Sequence, residues 1–237
     1  MKITGFIFAA GLGTRLHPLT DNKPKALVRY KGKTLLDNAI EKLWESGIRD
    51  IVVNVHHFPD LMLNALRCHE HAKNIRISDE RAYLRETAGG LKFAAPYWQN
   101  SDLLLLYNVD ILSDIDLDKL LARHLEQKAE ATLAVRNRNT QRYFLFERET
   151  GQLCGWENVK SGDKIIVRES EHIDYLAFSG IHVLNAAFAS LIPSVEKSSI
   201  TNFYLKQASE HRITAYRHDG DLWMDIGKYD EFCNLLS

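Results

Sequence analysis

Cysteine is scarce. Cys68, Cys154 and Cys233 are the three in 237 residues, odd in number and scattered. They show no metal-ligand or redox spacing, so a disulfide framework, a cysteine zinc site and a dithiol motif are excluded. Such thiols fit a reduced, cytoplasmic setting. Net charge is equally sparse: 30 Lys and Arg against 31 Asp and Glu leave −1, too little to attract nucleic acid or an anionic membrane. No apolar run approaches the ~20 residues of a membrane span, and the N-terminus enters a strand within a few residues, without a signal peptide. Two phosphate-binding signatures are also missing. There is no Gly-x4-Gly-Lys-Ser/Thr loop. A dinucleotide fingerprint needs a third glycine at position 16, which is Leu16, and an acid closing the second strand, which ends Val53-Asn54-Val55-His56. Strand followed by Gly-x-Gly therefore gives little support to a nicotinamide-dependent oxidoreductase.

What is present is ordinary in bulk and specific in detail. The chain is 45% hydrophobic and 26% charged, suited to one large domain or one domain with an inserted lobe. An apolar run over 6–10, of the kind buried on both faces of a sheet, breaks into Gly11-Leu-Gly13-Thr14-Arg15. Two glycines at that spacing let a backbone bring its N–H groups against a phosphate chain. Arg15 adds a planar, permanently charged donor fork, and Lys25, after Pro24, a second cation. With so little net charge, phosphate binding rests on such local cations.

Leu35, Leu36, Ala39, Ile40, Leu43 and Trp44 recur at helical spacing and predict an amphipathic helix over 34–46, stopped by Gly47. Strands at 51–55 and about 74–78 flank a helix over 60–68. That alternation predicts a parallel sheet with helices on both faces. His56 and His57 are neighbours on extended chain and point opposite ways, which suits rim residues rather than ligands of one ion. Asn54 and His56 fall at a strand's carboxyl end, where α/β sheets bind ligands. Residues 86–92, Glu-Thr-Ala-Gly-Gly-Leu-Lys, read as a loop opening a helix. It is either a turn capped by Thr87 or a side-chain-free surface for a flat base.

The leucine-rich strand over 102–110 ends in Asp110, a hard oxygen ligand at a strand tip. A helix over 116–129 and a strand over 132–136 follow. A β-meander comes next, over 143–168, whose Arg136, Arg138, Arg142, Lys160, Lys164 and Arg168 read as a solvated face. The strand over 176–184 holds Gly180 inside it, a sign of a bulge or of close ligand approach. Helices over 185–191 and 199–211 precede Asp225, set among apolar neighbours where a carboxylate needs a partner or a cation.

Gly11-Leu-Gly-Thr-Arg-Leu-His-Pro-Leu-Thr20, followed by Lys23-Pro-Lys-Ala-Leu27, resembles the signature of the sugar-1-phosphate nucleotidyltransferases. Glu86-Thr-Ala-Gly-Gly90, Asp110, Phe178-Ser-Gly-Ile181 and Trp223-Met-Asp-Ile-Gly227 extend the likeness over nearly the whole chain. They are most like the short N-acetylmuramic acid 1-phosphate uridylyltransferase-like members. The resemblance implies a Rossmann-like α/β fold: a mixed, mostly parallel sheet flanked by helices, with a small β-rich sugar lobe. It implies one domain over 1–237, with 1–135 for the nucleotide and 136–237 for the sugar and the second metal ligand.

The implied activity moves a nucleotidyl group from a nucleoside triphosphate, UTP favoured, to a sugar 1-phosphate and releases pyrophosphate. Arg15 and Lys25 are implied as catalytic. Ala10, Gly11, Gly13, Thr14, Asn54, Thr87, Gly89 and Gly90 join them around the nucleotide. Asn108, Ser179 and Gly180 face the acceptor, and Asp110 and Asp225 hold Mg²⁺. Val109 and Lys228 depart from the family, which has a small residue and a threonine there. Those departures leave room for a nucleotide-binding regulatory protein without turnover. Within the class, guanylyl transfer to mannose or heptose 1-phosphate and cytidylyl transfer to phosphocholine are the alternatives.

Overall fold

In the first strand, β1 (Ile3–Phe8), successive side chains enter different cores: Phe6 packs into one apolar cluster and Ile7 into the other, both without exposure. Burying side chains of that size stabilises by ~1.5–3 kcal/mol each, so β1 lies in the middle of the sheet. The computed structural model describes residues 1–194 and 197–227; Lys228 and Cys233 lie outside them. After the glycine loop come a hairpin, β2 (Arg29–Tyr30) and β3 (Lys33–Thr34), and helix α1 (Leu35–Glu45). Thr34 caps α1 reciprocally: Asp37 N–H donates to its Oγ1 at 3.0 Å, and its own N–H donates to Asp37 Oδ2 at 3.1 Å. All the predicted apolar positions of α1 except Trp44 are buried.

The chain continues through β4 (Ile51–Val55), α2 (Pro59–Cys68), β5 (Ile75–Asp79), α3 (Glu86–Phe93) and α4 (Ala95–Trp98). Next are β6 (Leu103–Asn108), β7 (Ile111–Ser113), α5 (Leu117–Glu126) and β8 (Ala131–Arg136). The meander is β9 (Arg142–Glu147), β10 (Leu153–Asn158) and β11 (Asp163–Ile166). It leads to β12 (Ile173–Asn185), α6 (Ala186–Ala189), α7 (Ile200–Gln207), β13 (Ile213–Arg217) and β14 (Trp223–Asp225).

Among the described residues, ten strands form one sheet in which β11, β10, β9, β12, β6, β1, β4 and β5 lie side by side, with β8 on β12 and β13 on β8. β1 runs parallel to β4 and β6, and β4 parallel to β5. The thirteen-residue β12 turns antiparallel and pairs with β9, β8 and β6 in turn. Helices cover both faces: α1 and α5 supply one apolar cluster, and α3 and α7 the other.

Four elements differ from the sequence expectations. β1 ends at Phe8, so Ala9 and Ala10 already belong to the loop. The 86–92 stretch is a helix throughout, with Gly89 and Gly90 buried inside it and Thr87 within its first turn rather than at its cap. Finally, β7 and β14, three residues each, pair with one another away from the main sheet.

Candidate active site

The carboxyl ends of β1, β4 and β5 are strapped together by side chains. Ala9 N–H donates to Asn54 Oδ1 at 2.7 Å, and Asn54 Nδ2 donates to Glu80 Oε1 at 2.9 Å. Asn54 and Glu80 are each 2% exposed, so Asn54 holds the start of the glycine loop from below. Burial raises the Glu80 carboxyl above the usual carboxylate range, opposed by the Asn54 hydrogen bond and the Arg85 backbone. Sequence reading passed over Glu80. The signal was an acid directly after a strand that itself ends in Asp79, and nothing local separates that from a turn residue.

Gly90 explains why α3 contains glycine. A Cβ there would lie 2.7 Å from Glu80 Oε1 and 3.0 Å from Asn54 Nδ2, so only hydrogen fits against this pair. Gly89 N–H donates to Ser198 O at 3.1 Å. Gly90 therefore packs the helix against strand ends and Gly89 ties it to the segment before α7, in a stretch where a base-facing loop had been expected. Because the Glu80 pKa is raised in the fold, its stabilising effect is complete below the unfolded value and is lost as pH rises through the folded value. Glu80→Gln accordingly stabilises the protein at pH 7 by on the order of 1 kcal/mol, and the gain disappears near pH 4. Urea melts of both proteins at the two pH values test this; equal differences at both would refute it.

Above the strap lies a cleft of about 560 Å³. Of the expected residues, Ala10, Gly11, Lys25, Asn54, Thr87, Asn108 and Asp110 line it, with Phe8, Leu84, Glu86 and Ser199, which had not been singled out. Thr87 Oγ1 accepts from Ile200 N–H at 2.8 Å and ties α3 to α7. Glu86 opens α3 at φ 61 and pairs with Lys197 at 3.4 Å. His56 Nδ1 is hydrogen-bonded to Glu80 O at 2.8 Å.

Gly13, Thr14 and Arg15 sit beside this cleft rather than in its wall. Gly13, at φ 70, precedes a single 3-10 turn over Thr14–Leu16, and its carbonyl accepts from Thr20 Oγ1 at 2.9 Å. Thr14 and Arg15 are exposed. Arg15 lies close to the last expected acid: a Cβ on Gly227 would be 3.2 Å from Arg15 Nη2 and 2.5 Å from Asp225 Oδ1.

The β7–β14 pair brings the two aspartates together. Asp225 is in register with Ile111, and Ile226 N–H donates to Asp110 O at 2.8 Å. Lys25 Nζ forms an ion pair with Asp110 Oδ2, both side chains being mostly buried. Val109, the departure from the family pattern, is 4% exposed in the same core as Ile111 and Ile226, where a β-branched side chain fills space. Two carboxylates of this kind fit Mg²⁺, which takes one or two of them and completes its shell with water and phosphate oxygens.

The acceptor side departs further from expectation. Gly180, at φ 75, sits at an irregularity in β12, and a Cβ would lie 2.8 Å from Asn108 Nδ2. It therefore packs beneath Asn108. Ser179 is fully buried, with Oγ 2.6 Å from His218 Nε2, and is not among the residues that line the cleft. Arg136, Arg138 and Arg168 are tethers more than a solvated face. They donate to the carbonyls of Asp221 (3.2 Å), Phe178 (3.3 Å) and Ala208 (2.9 Å), and Arg138 lies 4.6 Å over the Trp223 ring.

A glycine loop, a lysine and carboxylates gathered at the ends of parallel strands make a site for phosphate chains on a Rossmann-like sheet, which puts the chain among the nucleotide-dependent α/β enzymes. The family model for Nucleotidyl transferase matches residues 4–236, and the chain belongs to that family. It is 30% identical over 229 residues to the N-acetylmuramate alpha-1-phosphate uridylyltransferase of Caulobacter vibrioides, covering 93% of this chain and 90% of that one. It is 28% identical to a mannose-1-phosphate guanyltransferase of Yarrowia lipolytica over 96% of its own length, but spans only 61% of that relative. The fold is shared with HddC from Yersinia pseudotuberculosis, solved complexed with GMP-PN (TM-score 0.77, 18% identity, covering 99% of this chain and 98% of that one). It is shared too with a Bacillus anthracis structure described as a putative glucose-1-phosphate thymidylyltransferase (TM-score 0.79, 19% identity, 98% and 93%). No helix among the described residues is long and apolar enough to cross a membrane.

Proposed function

We propose that this nucleotidyltransferase joins a nucleoside triphosphate, UTP before GTP, to N-acetylmuramic acid 1-phosphate or a similar sugar 1-phosphate, releasing pyrophosphate in the cytoplasm. The observation that carries the reading is the Lys25–Asp110 pair facing Gly11 and Asn54 across one cleft. In this reading a single domain spans the chain. Residues 1–135 hold the nucleotide, and 136–237 face the acceptor and supply Asp225.

The acceptor phosphate is largely dianionic near pH 7, its second pKa being ~6, so no general base is needed. Its oxygen attacks the α-phosphorus in line as the bond to pyrophosphate breaks. Lys25 turns from Asp110 to the α-phosphate. The Gly11 amide holds the triphosphate, and Arg15 stabilises the charge that grows on the leaving pyrophosphate. Asp110 and Asp225 would hold Mg²⁺, which when bound screens the repulsion between the two anions. Asn108, packed on Gly180, faces the acceptor. Catalysis is positioning plus electrostatics.

UTP is favoured because the Caulobacter relative is matched over 90% of its length, against 61% for the guanylyl relative. The test incubates purified protein with Mg²⁺, each triphosphate and a panel of sugar 1-phosphates, and reads the product by mass. A UDP-sugar with pyrophosphate is expected. A GDP- or CDP-linked product alone removes the uridylyl assignment, and bound nucleotide without pyrophosphate makes the protein a regulator.

A further inference from the structure

Ser179 is gripped twice by a single turn. The 218–222 segment joins β13 to β14. At its start His218 Nε2 lies 2.6 Å from Ser179 Oγ; just beyond its end Trp223 Nε1 donates to Ser179 O at 2.9 Å. Ser179 is 0% exposed and His218 4%. The turn is held elsewhere too: Leu222 N–H donates to Asp114 Oδ1 at 2.7 Å, and Leu222 O accepts from Ser113 Oγ at 2.7 Å. Two residues after Trp223 comes Asp225, opposite Ile111.

Ser179, His218 and Asp221 have the composition of a hydrolytic triad. Yet the serine is sealed from solvent and Asp221 Oδ2 stands 3.7 Å from His218 Nδ1, so no acyl substrate reaches it. Burial and the Arg136 charge push the His218 pKa down, against the pull of Asp221, Asp219 and Asp114. A neutral imidazole in that place acts as a hydrogen-bonding strut.

We propose that Ser179 and His218 are positioning residues that lock the short strand β14, and with it Asp225, at a fixed height over Asp110. A three-residue strand has too few ladder bonds to hold register by itself. Its register here is set by the irregular segment of β12, which presents a carbonyl and a hydroxyl of one residue to the two ends of the turn. The same segment places Gly180 under Asn108, so one stretch of backbone fixes both the acceptor side of the cleft and the second carboxylate. The inference rests on Asp225 being a metal ligand, as proposed above, and its test separates the two ideas.

Ser179→Ala and His218→Leu remove the strut, Trp223→Phe removes the indole donor, and His218→Gln keeps a polar atom near the Nε2 position. Two measurements apply. Amide hydrogen exchange over 222–226 reads the lock without any metal; it should quicken about tenfold in Ser179→Ala, His218→Leu and Trp223→Phe, the scale of one lost hydrogen bond. Mn²⁺ binding, read from the free-ion electron paramagnetic resonance signal, should weaken about tenfold in the same variants. Affinity for metal-free UTP should stay unchanged. His218→Gln should restore both quantities to wild-type values. Unchanged exchange in Ser179→Ala and Trp223→Phe overturns the lock. Faster exchange with unaltered Mn²⁺ binding overturns its role toward Asp225. Absence of Mn²⁺ binding in the wild type removes the metal assignment itself, and the positioning role with it.

Discussion

Pyrophosphate release falls by roughly a thousandfold in Asp110→Ala and in Asp225→Ala, equivalent to about 4 kcal/mol on the barrier. The size follows from the task proposed for the two carboxylates: each substitution removes a ligand to the ion that would keep two polyanions together. The fold should survive. The Asp110 carbonyl still accepts from Ile226 N–H, because that contact is made by backbone. The two variants differ in a secondary effect. Asp110→Ala also frees the mostly buried Lys25 ammonium from its partner, so nucleotide affinity without metal should rise in this variant and stay level in Asp225→Ala. Turnover is read by coupled pyrophosphate detection and nucleotide binding by calorimetry. Normal turnover in either variant places the metal site elsewhere.

The second large effect is acid lability. His124, His182 and His218 are buried, and burial lowers the pKa of all three, that of His182 to about 3. His182 packs its ring among Phe8, Phe178 and Tyr204, with Nδ1 2.7 Å from the Tyr204 hydroxyl. His124 is clamped between Thr132 at 2.9 Å and Asn185 at 3.1 Å. Below about pH 6.5 the unfolded chain takes up the proton and the folded chain does not, so stability is lost as pH falls. For His182 the loss continues to about pH 3 and amounts to roughly 5 kcal/mol, at ~1.4 kcal/mol per pH unit. Chemical denaturation between pH 7 and pH 4.5 should therefore show a steep decline. His182→Gln should make that slope shallower by ~1.4 kcal/mol per pH unit. Identical slopes for the two proteins would count against this account.

Much of the fold was legible because its signals are local. The four apolar residues of β4 and the helical spacing of Leu35, Leu36, Ala39, Ile40 and Leu43 in α1 each carry their own explanation. Asp110 was legible as an acid closing a leucine-rich strand. What escaped was tertiary in origin. Three residues of β7 and three of β14 have no periodicity to read, and more than a hundred residues separate them. Gly89 and Gly90 favour a loop by propensity; α3 forms regardless, and the reason for glycine at position 90, that Glu80 and Asn54 leave no room for a Cβ, is tertiary. Ser179 was expected to face the acceptor; in the fold it is fully buried, beside an irregularity between Phe178 and His182 that no local pattern announces. Glu80 became visible only when β4 and β5 were side by side.

The length of β12 has a mechanical consequence. Its first residues zip to the meander through β9, and its last zip to β6, whose neighbour is β1. The meander and the parallel half of the sheet therefore share a single spar, broken only by the irregularity around Gly180. Rocking one against the other would have to bend that short stretch, because the ladders on either side of it tie to β9 and to β6. Such a scaffold behaves as a fixed jig more than as a pair of jaws, with its one soft point at Gly180, beneath Asn108.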